Sequence, residues 1–67
     1  MAEWFYRTGL ALAPSEKDRR FIHEWEAIEE ANRMTSSARG FDSVICVWDE
    51  RDDPLYLFWG GERFKRV

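Results

Sequence analysis

The sequence predicts an α+β fold in which a three-stranded antiparallel sheet carries one amphipathic helix on one face. Three observations lead to this prediction. Residues 4–12 (WFYRTGLAL) alternate along a strand, residues 16–34 space their large apolar side chains as a helix does, and residues 44–60 (VICVWDERDDPLYLFWG) contain two strand-forming runs around a polar turn. The predicted order of elements is therefore β-α-β-β.

The predicted hairpin is the clearest of these features. β-Branched and aromatic residues fill residues 44–50 and 55–60, and the turn between them is charged and contains Pro54. Both faces of this hairpin are apolar, whereas a hairpin with one face in water alternates apolar and polar residues. One face is expected to lie under the helix, and the other needs a further contact.

The helix is predicted from two kinds of signal. Ser15 suits an N-cap, and Asp18 stands where a capping-box acid would stand. Phe21, Trp25 and Ile28 follow at i, i+4 and i+7, so they share one stripe of a helix spanning residues 16–34. A helix with one apolar stripe covers one side of a sheet only.

The connections suggest an order for the three predicted strands. A helical crossover returns the chain, so residues 4–12 and 44–50 are expected to run parallel, with residues 55–60 antiparallel to both. Because residues 55–60 are the most apolar, they are predicted to lie at the centre, which gives the order 1-3-2. The alternative places the first strand beside the second as a parallel pair.

The choice of covered face rests on Cys46. Free cysteine is among the most buried residue types, so the helix is expected over the face that carries Cys46, Trp48 and Trp59. The competing assignment puts the helix over Val47 and Phe58 and leaves Trp48, Leu57 and Trp59 open. The first assignment leaves these residues on the uncovered face: Phe5, Arg7, Ile45, Val47, Tyr56 and Phe58.

Composition limits the class of protein. The 67 residues are expected to form a single domain over positions 1–67, with 45% apolar and 16% aromatic residues to supply a core. The net charge of −3 argues against broad electrostatic binding of nucleic acid. No secretory signal and no run of membrane-spanning length is evident, so a cytoplasmic location without membrane contact is expected.

Residue types that carry catalysis or bind metals are sparse. His23 and Glu26 have a His-x-x-Glu spacing, but two ligands are too few for a metal site, and a solvated helix face explains them. Cys46 lies between Ile45 and Val47, as a core cysteine does, and a catalytic cysteine would need a nearby base. We therefore predict no enzyme activity, no cofactor and no metal.

The acidic turn and the uncovered apolar face together predict a contact with another protein. An exposed apolar patch is typical of a partner site, and flanking charges mainly set the association rate. An acidic turn can also be a cation site or simply a solubilising turn. The predicted rim consists of Asp49, Glu50, Asp52 and Asp53.

In size, acidity and lack of catalytic motifs, the chain resembles the small accessory proteins of phages and mobile elements, which include inhibitors of host defence. This likeness is one of type and carries over no residues. It implies a non-enzymatic inhibitor or regulator that binds a protein. Two alternatives use the same surface: single-stranded nucleic acid stacked on Phe5, Tyr56 and Phe58 beside Arg7, or a second copy of the chain in a homodimer.

Overall fold

The fold is one helix packed against an antiparallel sheet, as seen in a computed structural model that describes residues 4–37 and 42–65, the last two by backbone alone. The predicted α+β class is confirmed. No helix in the described part of the chain is long and apolar enough to cross a membrane. The elements are β1 Tyr6–Leu10, β2 Arg19–Phe21, α1 Glu24–Ser36, β3 Ile45–Asp49, β4 Pro54–Trp59 and β5 Glu62–Lys65.

The sheet has five strands in the order β2-β1-β3-β4-β5, so the predicted three strands and their order 1-3-2 are wrong. The central strand is β3, which pairs antiparallel with both β1 and β4. The prediction failed because the chain already reverses between β1 and β2, before α1 begins. The helical connection therefore starts at the end of the sheet where β1 begins. It returns the chain to the other end, so that β3 runs antiparallel to β1.

The helix begins at Glu24, eight residues later than the sequence suggests. Ser15 and Asp18 do make hydrogen bonds of the capping type. The Ser15 N–H donates to Asp18 Oδ2 at 3.1 Å, and the Ser15 Oγ accepts a hydrogen bond of 3.0 Å from the Lys17 N–H. These bonds close a turn that leads into β2 rather than into a helix. The residue before the helix is His23, whose N–H donates to Glu26 Oε1 at 3.3 Å.

The core lies between α1 and one face of the sheet. The helix contributes Ala27 and Ala31, both fully buried, and their small side chains allow the helix backbone to approach the strands closely. The sheet contributes Ile45, Val47 and Phe58, each fully buried. Burial of such a side chain stabilises a fold by about 1.5–3 kcal/mol. The helix therefore covers the Val47 and Phe58 face, and the assignment based on Cys46 is wrong.

Two buried threonines fix α1 to the sheet through hydrogen bonds. Thr8 Oγ1 in β1 donates to the carbonyl oxygen of Ala27 at 3.0 Å. At the other end of the helix, Thr35 Oγ1 accepts a hydrogen bond of 3.0 Å from the N–H of Gly61. Gly60 and Gly61 have φ values of 62° and 81°, which is the left-handed region that a two-residue hairpin turn requires. The β4–β5 turn is thus tied directly to the helix.

Candidate protein-binding surface

The residues predicted to form the centre of a binding site lie in the core. Ile45, Val47 and Phe58 are fully buried beneath α1, and Tyr56 is half-buried beside them. Phe5, at the start of β1, stays 42% exposed. A partner cannot reach the three buried side chains while the helix is in place, so the expected apolar centre is not available for binding.

Arg7 lies on the opposite face of the sheet and is only 8% exposed. Its guanidinium carbon lies 4.0 Å from the centre of the Trp48 ring, within the range of a cation–π contact. The same guanidinium donates to Asp18 Oδ2 at 2.8 Å and to Asp52 Oδ1 at 3.2 Å. Its charge is therefore satisfied within the chain, and its plane covers Trp48.

This arrangement also removes the surface expected for nucleic acid. Tyr56 and Phe58 lie on the helix-covered side of the sheet, where Phe58 is fully buried and Tyr56 is half-buried with the guanidinium carbon of Arg63 5.3 Å from its ring centre. Arg7 carries two aspartate partners in place of a phosphate. Tyr56 and Phe58 are thus separated from Arg7 by the sheet.

Gly9 provides the space that Asp18 occupies. Adding a Cβ atom at Gly9 would bring it into collision with the carboxyl group of Asp18, so any larger residue would displace that carboxylate. Gly9 pairs with Cys46 across β1 and β3. The turn that carries Asp18 therefore folds over this part of the sheet and reaches Arg7 from above.

Cys46 is also buried on this face of the sheet, with 2% of the residue exposed. Burial raises the pKa of its thiol from the ordinary value of 9.0 to about 11, although the positive charge of Arg7 lowers that pKa in part. A thiol in this state is a poor nucleophile at neutral pH. The cysteine is buried, as its residue type suggested, but on the face away from the helix.

Farther along the same face, the cover ends and an apolar surface is exposed. Leu57 is half-buried, and Trp59 is 51% exposed at the end of β4. Glu62, which is exposed, pairs with Trp59 across the β4–β5 turn. We refer to Leu57, Trp59 and Glu62 as the Trp59 surface.

The acidic β3–β4 turn is shaped by its own side chains. Asp49 Oδ1 accepts hydrogen bonds from the N–H groups of Arg51 at 2.8 Å and Asp53 at 3.0 Å. Asp52 has a φ of 65° and directs its carboxylate to Arg7. Of the four predicted rim residues, Asp49 and Asp52 therefore make contacts within the fold, and Glu50, Asp52 and Asp53 are all exposed.

His23 and Glu26 lie at the start of α1, and His23 stacks on Trp25 with ring centres 6.2 Å apart. Trp25 is 59% exposed, so the helix stripe predicted from Phe21, Trp25 and Ile28 is displaced from the true buried stripe. Within residues 4–37 and 42–65, no three histidine, cysteine or acidic side chains come together as a metal ion would require.

A cleft of about 400 Å³ opens on the uncovered side, between the 14–16 turn and the acidic turn. Arg20 lies along it with its guanidinium carbon 5.2 Å from the centre of the Trp4 ring. Glu16, Glu50 and Asp52 line the same cleft, so it combines both signs of charge.

Sequence reasoning missed three contributors to this face. Trp48 was placed on this face but without Arg7 over it, Asp18 was assigned to a helix cap, and Glu62 lay beyond the predicted strand of residues 55–60. One signal was present for Glu62, because Gly60 and Gly61 form a two-residue turn that pairs the residues on either side of it. No protein family, no curated protein and no solved structure matches this chain.

Proposed function

We propose that this chain is a non-enzymatic protein-binding module that contacts its partner through the Trp59 surface. The observation that carries the proposal is a half-exposed tryptophan on a sheet face that α1 does not cover. Tryptophan is enriched among the residues that dominate binding energy, and exposed apolar patches mark partner sites. The exposed carboxylates of Glu50 and Asp53 at one end and Glu62 at the other give this face an acidic rim.

The rigidity of the surface supports the same function. Trp59 stands in a paired strand, next to a glycine turn whose backbone is hydrogen-bonded to the buried Thr35. A side chain presented on a fixed element loses little conformational freedom when a partner binds. The proposal includes a cytoplasmic inhibitor or regulator of the kind encoded by phages and mobile elements, which the small size and acidity of the chain support.

An affinity-capture experiment tests the proposal. The wild-type chain is immobilised and exposed to an extract of its native host, in parallel with a variant that carries Leu57→Ser and Trp59→Ser. We expect the wild-type chain to retain a protein that the variant does not. Circular dichroism of both proteins checks that the variant is folded.

Trp25→Ser is the matched control, because Trp25 is as exposed as Trp59 but lies on the helix. We expect this control to retain the same protein as wild type. Capture of the same proteins by wild type and by the double variant would contradict the proposal, as would loss of capture in the Trp25→Ser control alone.

A second copy of the chain is an alternative partner for the same surface. The observation in favour of a homodimer is that the Trp59 side chain is exposed and apolar. Sedimentation velocity at several concentrations distinguishes this case. Self-association that is abolished by Trp59→Ser identifies a homodimer, whereas a monomer at all concentrations leaves the surface to a different protein.

A further inference from the structure

Trp59 differs from the other three tryptophans of the chain in its partners. The Trp48 ring carries Arg7, the Trp4 ring carries Arg20, and the Trp25 ring stacks on His23. Among the described residues, no ring and no cation contacts Trp59, although half of this side chain is exposed. Within residues 4–37 and 42–63, Trp59 is thus the one tryptophan whose ring has no aromatic or cationic partner.

Glu62 supplies a carboxylate at the same place. It pairs with Trp59 across the β4–β5 turn, and side chains of directly opposed residues project to the same face with Cβ atoms about 4.5–5.5 Å apart. Within the described part of the chain, Glu62 forms no salt bridge. An indole face and a carboxylate therefore lie side by side, and no cation among the described side chains contacts either of them.

The combination of an indole ring and a carboxylate also occurs elsewhere in this molecule, where a guanidinium contacts both groups. At Trp48, the ring is covered by Arg7, and the guanidinium is held by the carboxylates of Asp18 and Asp52. A planar guanidinium stacks on an aromatic ring while its edge donates to a carboxylate, which an ammonium group does less well. The filled site at Trp48 shows which side chain completes such a pair.

We propose that Trp59 and Glu62 together receive an arginine side chain of the partner protein. This inference rests on the proposed function and adds the chemistry of the partner to it. The guanidinium stacks on the Trp59 ring and donates to the Glu62 carboxylate, while an apolar neighbour of that arginine packs on Leu57. The exposed carboxylate of Glu62 supplies the charge that complements a guanidinium at this place.

The turn geometry keeps the pair assembled before a partner arrives. Gly60 and Gly61 adopt the left-handed conformations of a tight turn, and the Gly61 N–H is held by Thr35 Oγ1 at 3.0 Å. Trp59 and Glu62 are therefore fixed opposite one another by backbone pairing. Binding an arginine needs no rearrangement of the backbone.

Phage display of short random peptides tests the inference with a defined probe. The immobilised wild-type chain is presented with a library that contains all residues and with a second library that lacks arginine and lysine. We expect binders from the first library in which arginine stands next to an apolar residue, and few from the second. Trp59→Leu, which keeps apolar bulk, is expected to lose these binders.

A double-mutant cycle then isolates the contact. Replacement of the selected arginine by citrulline is expected to weaken binding about fivefold or more in wild type, the size of an exposed cation–π contact, and to have little effect in a Trp59→Leu/Glu62→Gln variant. Trp25→Leu/Glu29→Gln is the matched control, because Trp25 and Glu29 form an exposed pair on α1. It is expected to bind as wild type does.

Two other outcomes separate the inference from the proposed function. Equal recovery from both libraries, or equal enrichment of lysine, with binders that depend on Leu57 and Trp59 would overturn the arginine site and leave the protein-binding function in place. Binders that are indifferent to Leu57 and Trp59 would overturn both.

Discussion

The two faces of the sheet are both apolar in sequence, but they are covered in different ways. On one face, α1 packs Ala27 and Ala31 against Ile45, Val47 and Phe58, so that the cover is apolar. On the other face, polar side chains cover β1 and β3. Among the described residues, no such polar cover extends over Trp59, which is 51% exposed.

This polar cover is built from one cation and two acids. Arg7 lies over the Trp48 ring, Asp18 reaches it over Gly9, and Asp52 reaches it from the acidic turn. A long side chain can cover apolar area with its stem and its planar head while its charge is satisfied by carboxylates. The comparison shows that a small chain with one helix can protect most of a second face by folding its own loops onto it.

The difference between the faces also assigns their roles. The helix-covered face is expected to determine stability, because Ile45, Val47 and Phe58 are removed from water completely. The part of the second face that carries Trp59 is expected to contribute little to stability and much to binding. Substitutions on each face therefore have separable effects.

Phe58→Ala is expected to have the largest effect on stability. Phe58 is fully buried in the core, and deletion of a buried phenyl group costs about 3–5 kcal/mol, which can unfold a domain whose total stability is about 5–15 kcal/mol. Thermal denaturation followed by circular dichroism measures the loss. Leu12→Ala is the control, since Leu12 is exposed; a melt of Phe58→Ala as high as that of the control would place the helix elsewhere.

Asp18→Asn is expected to have the next largest effect. The substitution keeps the shape of the side chain but removes the charge that holds Arg7 at 2.8 Å, and a hydrogen bond between charged groups contributes about 1.5–3 kcal/mol. Urea denaturation measures the change in the free energy of unfolding. The exposed Asp53→Asn is the control, and equal stability of the two variants would show that the polar cover does not stabilise the fold.

Gly9→Ala is expected to destabilise the fold by about 1–3 kcal/mol, as over-packing does, because the added methyl group would displace the Asp18 carboxylate. The effect should shrink when Asp18 is already replaced by alanine. Urea denaturation of both single variants and the double variant gives the coupling. Additive losses would mean that Gly9 and Asp18 do not share this space.

Cys46 is expected to make stability depend on alkaline pH. Because the folded state raises the thiol pKa from 9.0 to about 11, the stabilising contribution is complete below pH 9 and is lost as the pH rises through about 11. The stability of wild type relative to Cys46→Ala should therefore fall over that interval. A constant difference between the two proteins from neutral pH to pH 11 would show that the thiol is not shielded.

Much of the fold was accessible from local sequence patterns. The strand-forming runs and the polar turn between them correctly predicted β3 and β4, and alternation correctly predicted β1. These elements were found because their residue types have strong local preferences. The α+β class follows from them together with one helix.

The start of the helix and the order of the strands could not be predicted from local sequence patterns. The bonds between Ser15 and Asp18 are those of a helix start, and their local geometry does not reveal that Arg19–Phe21 pairs with β1. Once β2 is missed, the chain appears to reverse only through the helix. The wrong strand order follows from that omission together with the choice of residues 55–60 as the central strand, since the central strand is β3.

The face under the helix was predicted wrongly from the burial preference of Cys46, and the buried stripe of the helix was predicted wrongly from its large side chains. Trp25 suggested the buried stripe of the helix, whereas Ala27 and Ala31 form it. Cys46 correctly indicated burial but not the kind of cover, since a cysteine can be buried by a loop as well as by a helix. Such choices depend on long-range packing, which local patterns do not contain.

Trp59→Ala, measured for stability and for binding in the same preparation, tests the separation of the two faces most directly. We predict a free energy of unfolding within about 0.5 kcal/mol of wild type, as for other surface substitutions. We also predict a loss of about 2 kcal/mol or more, close to thirtyfold, in affinity for the protein that the wild-type chain captures. A variant that is strongly destabilised, or one that binds that protein as tightly as wild type does, would contradict the account.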